Sequence, residues 1–171
     1  MTTTRAPVGR SMLSVGGLGV SRLGPLWASL VPAGVAAVMA LAGAPRLWML
    51  NAVGGVLMVY GIASCLIWGR RAVEIFGRRN PREVVADKVA GCSIVVAEAV
   101  YYEGPAGRVL VRIAWAVALF RLINGPLGRA LRELEKLRGG WGLIVYDVVT
   151  GVIALLLFNL SMMLAKQVGL R

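Results

Sequence analysis

From Trp141 to Ala165 the chain runs for twenty-five residues with one charged side chain, Asp147. As a helix this run would be about 37 Å long, enough to cross a hydrocarbon layer of about 30 Å. A soluble domain rarely has room for so long a stretch that is apolar on every side. A carboxylate at membrane depth costs roughly 2.5–3.5 kcal/mol. Asp147 is therefore either a functional group or an acid that reaches back to water or to an arginine. Gly139 and Gly140 precede the run and Gly142 lies in its first turn, and they let the chain turn or a neighbouring helix approach.

Four further apolar segments share this character, at about 26–44, 47–68, 84–102 and 109–124. They account for a mean hydropathy of +0.74 and a hydrophobic content of 58%, above the roughly 45–50% of soluble domains. The expected fold is all-α, a polytopic membrane helix bundle of about five transmembrane helices. A short interfacial helix is expected over 127–138, where Leu127, Leu131 and Leu134 alternate with Arg129, Arg132, Lys136 and Arg138. Residues 1–25 read as a cytoplasmic arm too rich in glycine for a long helix, without a compact cleavable leader. Residues 26–171 read as one membrane domain.

The net charge of +11 would suggest nucleic acid in a soluble protein. Here the basic residues lie in short segments between apolar runs, and no basic patch is interleaved with aromatics, so nucleic acid is not an expected partner. With five spans, the arm, the 69–84 segment and the 125–140 segment share one side and hold twelve Lys and Arg, against four on the other side. The positive-inside rule then puts the N-terminus in the cytoplasm and the C-terminus outside. Anionic phospholipid headgroups are the expected partners of that basic face. The chain has no histidine, so His-based acid–base chemistry and ordinary zinc sites are excluded. Cys65 and Cys92 lie in apolar runs outside any CxxC pair and read as small core residues.

This topology brings Asp87 at the start of the third span, Arg121 and Asn124 at the end of the fourth, and Asp147 near the start of the fifth to one depth. An acid pair beside an arginine under a basic surface suits a phosphorylated lipid headgroup. It equally suits a polar lock between three helices. The spacing Asp87, Gly91, Ile94, Glu98 puts these four near one helix face, expected to look into the bundle.

The same residues carry a family resemblance. Asn80-Pro81-Arg82-Glu83-Val84-Val85-Ala86-Asp87-Lys88-Val89-Ala90-Gly91 resembles the D-P-x-x-x-V-x-D-E-x-x-G motif of phosphatidylglycerophosphatase A. Phe120-Arg121-Leu122-Ile123-Asn124 resembles its F-R-x-x-D, and Gly139-Gly140-Trp141-Gly142 through Tyr146-Asp147 to Gly151 resembles its G-G-x-G-I-M-x-D-D-x-x-A-G. Order and spacing match over residues 75–160. The resemblance implies an all-helical fold in the bacterial inner membrane. It also implies Mg2+-dependent removal of the terminal phosphate of phosphatidylglycerophosphate on the cytoplasmic side. Asp87 and Asp147 would be the catalytic and Mg2+-holding acids, and Arg121, with Lys88 and Asn124, would face the lipid phosphate.

The departures from the pattern are chemical. Lys88 stands where the second acid of D-E belongs, Asn124 where an aspartate follows F-R, and Tyr146 where the D-D pair begins. Asn80 replaces the leading aspartate, and Gly125-Pro126-Leu127-Gly128 replaces a K-P-x-P segment. Lys88 counts for two units of charge and Asn124 and Tyr146 for one each, so the site is four units more positive than the pattern. Mg2+ requires carboxylate oxygens, so a lysine among them either substitutes for the metal or snorkels to the interface. Two expectations follow. One is a non-catalytic or impaired member, a membrane subunit of a larger complex or an anionic-lipid binder. The other is a surviving Mg2+-dependent lipid phosphatase.

Overall fold

A computed structural model of the protein describes residues 5–42, 47–77, 81–101, 104–130 and 140–168. Among these residues the protein is all-helical, with seven α-helices: α1 (Arg5–Leu13), α2 (Gly24–Leu41), α3 (Leu47–Trp68), α4 (Ala72–Phe76), α5 (Ala86–Tyr101), α6 (Ala106–Ala130) and α7 (Trp141–Gln167). The expected interfacial helix lies mostly outside the described residues.

The organising element is α5. Eleven of its sixteen residues are buried, and α2, α3, α6 and α7 all pack against it. It is short, about 24 Å, and carries Asp87, Lys88 and Glu98, so the other helices shield it. Its apolar side, with Cys92, Val95, Val96 and Ala99, joins Phe120 of α6 and Phe158 of α7 in the main core. Of the face expected to look inward, Asp87 and Gly91 are buried, while Ile94 and Glu98 are half-buried. Both cysteines are free and fully buried.

Three described helices are long and apolar enough to cross a membrane: Gly24–Leu41, Trp48–Arg71 and Trp141–Gln167. Trp27, Trp48 and Trp141 are exposed near helix ends, where indole rings suit a membrane–water interface. The third and fourth expected spans correspond to α5 and α6. The first, at sixteen residues, is shorter than the roughly 20 that a span needs, and the second carries Arg108, Arg112 and Arg121. The α6 helix also continues through Pro126 to Ala130, past the end at about 124 expected for the fourth apolar segment. One missing backbone donor costs a helix part of its ladder without ending it when neighbouring turns hold.

The N-terminal stretch folds onto the bundle. Leu13 is fully buried, its carbonyl accepts the Val85 amide at 2.9 Å, and Tyr60 Oη donates to the Met12 carbonyl at 2.9 Å. As the glycines imply, α1 stops early: Gly16 and Gly17 take positive φ of 66° and 96°, and a short 3-10 turn follows over Leu18–Val20. The α2 helix carries Pro25 in its first turn, where its missing N–H is no loss.

Two close helix contacts fix the position of α5. A methyl on Gly61 of α3 would overlap the Ala86 carbonyl oxygen, and a methyl on Gly91 of α5 would overlap the Asp147 carbonyl oxygen of α7. Gly151 of α7 reciprocates, lying against the Gly91 carbonyl. At Gly140 the start of α7 meets the Cys65 carbonyl of α3. Small residues thus set the packing distance, as in membrane bundles generally. Of the glycines expected to admit a neighbouring helix, Gly140 does so, Gly142 is buried and Gly139 lies outside the described residues.

Candidate functional site

The Gly91–Asp147 contact brings the first turn of α5 beside the second turn of α7. Asp87 sits in the first turn of α5, where a carboxylate complements the positive end of the helix dipole. Its Oδ1 accepts the Lys88 backbone N–H at 2.8 Å. The Lys88 side chain then folds between two acids: Nζ lies 3.0 Å from Asp87 Oδ2 and 3.2 Å from Asp147 Oδ2. The Asp147 side chain is 1% exposed and that of Lys88 17%. The lysine is therefore a shared counter-ion for two buried carboxylates, and of the two readings of Lys88 the structure has the inward one.

The α6 helix closes the cluster. Asn124 Nδ2 donates to Asp147 Oδ1 at 2.6 Å, and Tyr146 Oη donates to the Asn124 carbonyl. Thr150 Oγ donates to the Tyr146 carbonyl at 2.9 Å, one turn below. All four carboxylate oxygens of Asp87 and Asp147 thus accept hydrogen bonds. A buried ion cluster is tolerable only when its lone pairs are filled in this way.

Four of the five expected site residues, Asp87, Lys88, Asn124 and Asp147, form one connected network. Arg121 stands one turn before Asn124 and turns to α2 instead, donating from Nη1 to the Pro25 carbonyl at 3.2 Å. That bond uses one of five guanidinium donors and ties α6 to the start of α2. Tyr146 is the member that the sequence reading missed. It stood there only as a lost acid, and nothing in the motif shows that a phenol at that position could reach a backbone carbonyl on another helix.

Magnesium is the metal that the sequence pattern implies, and these side chains do not suit it. Mg2+ demands near-octahedral oxygen ligation at short range. Here the two facing carboxylate oxygens are both bound by an ammonium, and a third accepts an amide N–H. Among the described residues no group of three or more Asp, Glu, Cys or His side chains is placed to hold a metal ion.

The chain matches the family model of phosphatidylglycerophosphatase A over residues 11–162. It belongs to the phosphatidylglycerophosphatase A family. The match begins within α1 and covers the first two spans, well beyond the motif-bearing half. No curated protein and no solved structure matches the chain. Membership in a lipid-processing family, together with the three apolar helices, places the protein with membrane lipids.

Proposed function

We propose that this member of the phosphatidylglycerophosphatase A family engages anionic phospholipid at the cytoplasmic face of the membrane without the family's hydrolysis. The observation that carries the reading is the Lys88 ammonium held between Asp87 and Asp147. Metal-assisted phosphate hydrolysis needs a cation that can polarise a phosphoryl oxygen and generate a nucleophile from water. A lysine supplies charge and hydrogen-bond donors but no open coordination position. The cluster then acts as a lock joining α5, α6 and α7, and the basic cytoplasmic segments supply the attraction for lipid.

In this reading α5 and α6 also span, giving five transmembrane helices with the N-terminus in the cytoplasm and the C-terminus outside. Its support is the charge asymmetry of twelve against four. A cysteine introduced at exposed Glu74 checks it: impermeant reagent should label it in inverted vesicles and not in intact cells.

The catalytic part is tested by phosphate release from phosphatidylglycerophosphate with and without Mg2+. The expected result is background release in both. Robust Mg2+-dependent turnover by the unmodified protein overturns the proposal and restores the active reading, with Asp87 and Asp147 holding Mg2+ and Arg121 the phosphate. The triple change Lys88→Glu, Asn124→Asp and Tyr146→Asp should raise Mg2+ affinity, read by metal-dependent thermal stabilisation.

A further inference from the structure

Where α3 runs into the 3-10 turn Gly69–Arg71, at the end of the bundle where Gly69 meets Gly140 before α7, a groove of about 520 Å3 opens beside α1. Among the described residues Val8, Ile67 and Trp68 form its walls, and Arg70 and Arg71 line it beside them. Its accessible surface is nearly all apolar apart from these two cations. The Trp68 indole is fixed in place: α1 passes it at Gly9, where any side chain would collide with the ring. The Arg71 guanidinium lies 6.0 Å from the ring centroid, within cation–π range. Both arginines are exposed, and among the described residues neither forms an ion pair. Val8 and Ile67 are exposed as well, at 48% and 65%.

We infer that this groove is a specific binding site for an anionic phospholipid, with the phosphate on Arg70 and Arg71 and the glycerol and upper acyl chain against Val8, Ile67 and Trp68. It deepens the lipid-binding reading above, on which it rests, and assigns that role to a place distinct from the Asp87–Lys88–Asp147 cluster. Charge complementarity selects the occupant. Two exposed arginines, neither in an ion pair among the described residues, offer up to ten N–H donors in planar forks that match phosphate oxygens. An apolar wall and an aromatic ring at the end of a membrane-crossing helix match the region just below a headgroup. A soluble anion would satisfy the arginines and leave the walls exposed. A zwitterionic lipid would bring its own cation toward them. The cytoplasmic leaflet, where the charge count puts this end of α3, is the one rich in anionic lipid.

The test uses the full chain with Trp68 as its only tryptophan, the exposed Trp27, Trp48, Trp115 and Trp141 being changed to Phe. The protein is placed in phosphatidylcholine nanodiscs with a minor fraction of brominated phosphatidylglycerol or of brominated phosphatidylcholine. Trp68 fluorescence should be quenched preferentially by the brominated phosphatidylglycerol. Arg70→Gln with Arg71→Gln should reduce that preference by about fivefold per arginine. Arg22→Gln with Arg82→Gln removes the same charge from exposed positions outside the groove and should leave it nearly unchanged. Equal quenching by the two lipids, or equal loss in the two double variants, overturns the groove assignment. Native mass spectrometry of the otherwise unmodified chain and its Arg70→Gln/Arg71→Gln variant counts co-purified phosphatidylglycerol, so the result does not depend on the tryptophan changes. Retention of phosphatidylglycerol without a Trp68 preference defeats the groove alone. Absence of phosphatidylglycerol enrichment defeats the lipid-binding reading as a whole.

Discussion

The two sides of α5 are built from the same device and end with different chemistry. Toward α3, Gly61 lets the Ala86 carbonyl approach, and the contact continues through Ala86, Ala90 and Cys65 as apolar packing. Toward α7, Gly91 and Gly151 let the backbones approach equally closely, but the contact carries Asp87, Lys88 and Asp147. Close backbone approach by itself is therefore a packing solution that both sides share. What distinguishes the α7 side is that its buried charges must be neutralised, which makes that interface depend on a cation as the α3 side does not.

The charge dependence gives the sharpest way to break this comparison. Lys88→Glu should put three carboxylates together and cost more than about 5 kcal/mol, since removing one partner of a buried pair already costs about 3–5 kcal/mol. Thermal unfolding in detergent should show the loss, and millimolar Mg2+ should restore part of it. Absence of any Mg2+ response in a folded Lys88→Glu protein would show that the acids cannot accept a metal even without the lysine. Lys88→Met is the next largest, about 3–5 kcal/mol. A melting temperature equal to that of the unmodified protein would mean that the lysine is not the counter-ion.

Packing changes should treat the two sides alike. Gly61→Ala and Gly91→Ala each force a methyl into a backbone carbonyl, and overpacking costs about 1–3 kcal/mol. Similar melting losses for both, neither altered by Mg2+, would support the shared device. A Mg2+-sensitive Gly91→Ala protein would show that spacing and charge are coupled on the α7 side. The smallest expected effect is that of Tyr146→Phe, which removes one hydrogen bond to the Asn124 carbonyl and should cost about 0.5–1.5 kcal/mol.

Much of the bundle was legible because membrane helices declare themselves by long apolar runs, and the glycines of α5 and α7 mark contacts by their size. The elements that eluded the sequence are those where tertiary surroundings overrule a local signal. Pro126 reads as a stop, yet α6 runs through it. Residues 1–25 read as an arm, yet Leu13 lies in the core, and the Met12 and Leu13 carbonyls accept hydrogen bonds from Tyr60 of α3 and from the Val85 amide just before α5.

The sequence by itself determined that Asp87 and Asp147 need compensation, since a lone carboxylate in an apolar run is too costly to leave unpaired. It also determined the stock of available cations, Lys88 and Arg121, and the replacement of three motif acids by Lys88, Asn124 and Tyr146. Only the tertiary structure decided how these were matched. Lys88 turns inward to both aspartates, while Arg121 is drawn to the Pro25 carbonyl at the start of α2. The reason is geometric: a lysine on the first turn of α5 can reach α7 only because Gly91 and Gly151 bring the two backbones into contact. That distance belongs to the packed pair of helices and is written in neither segment alone.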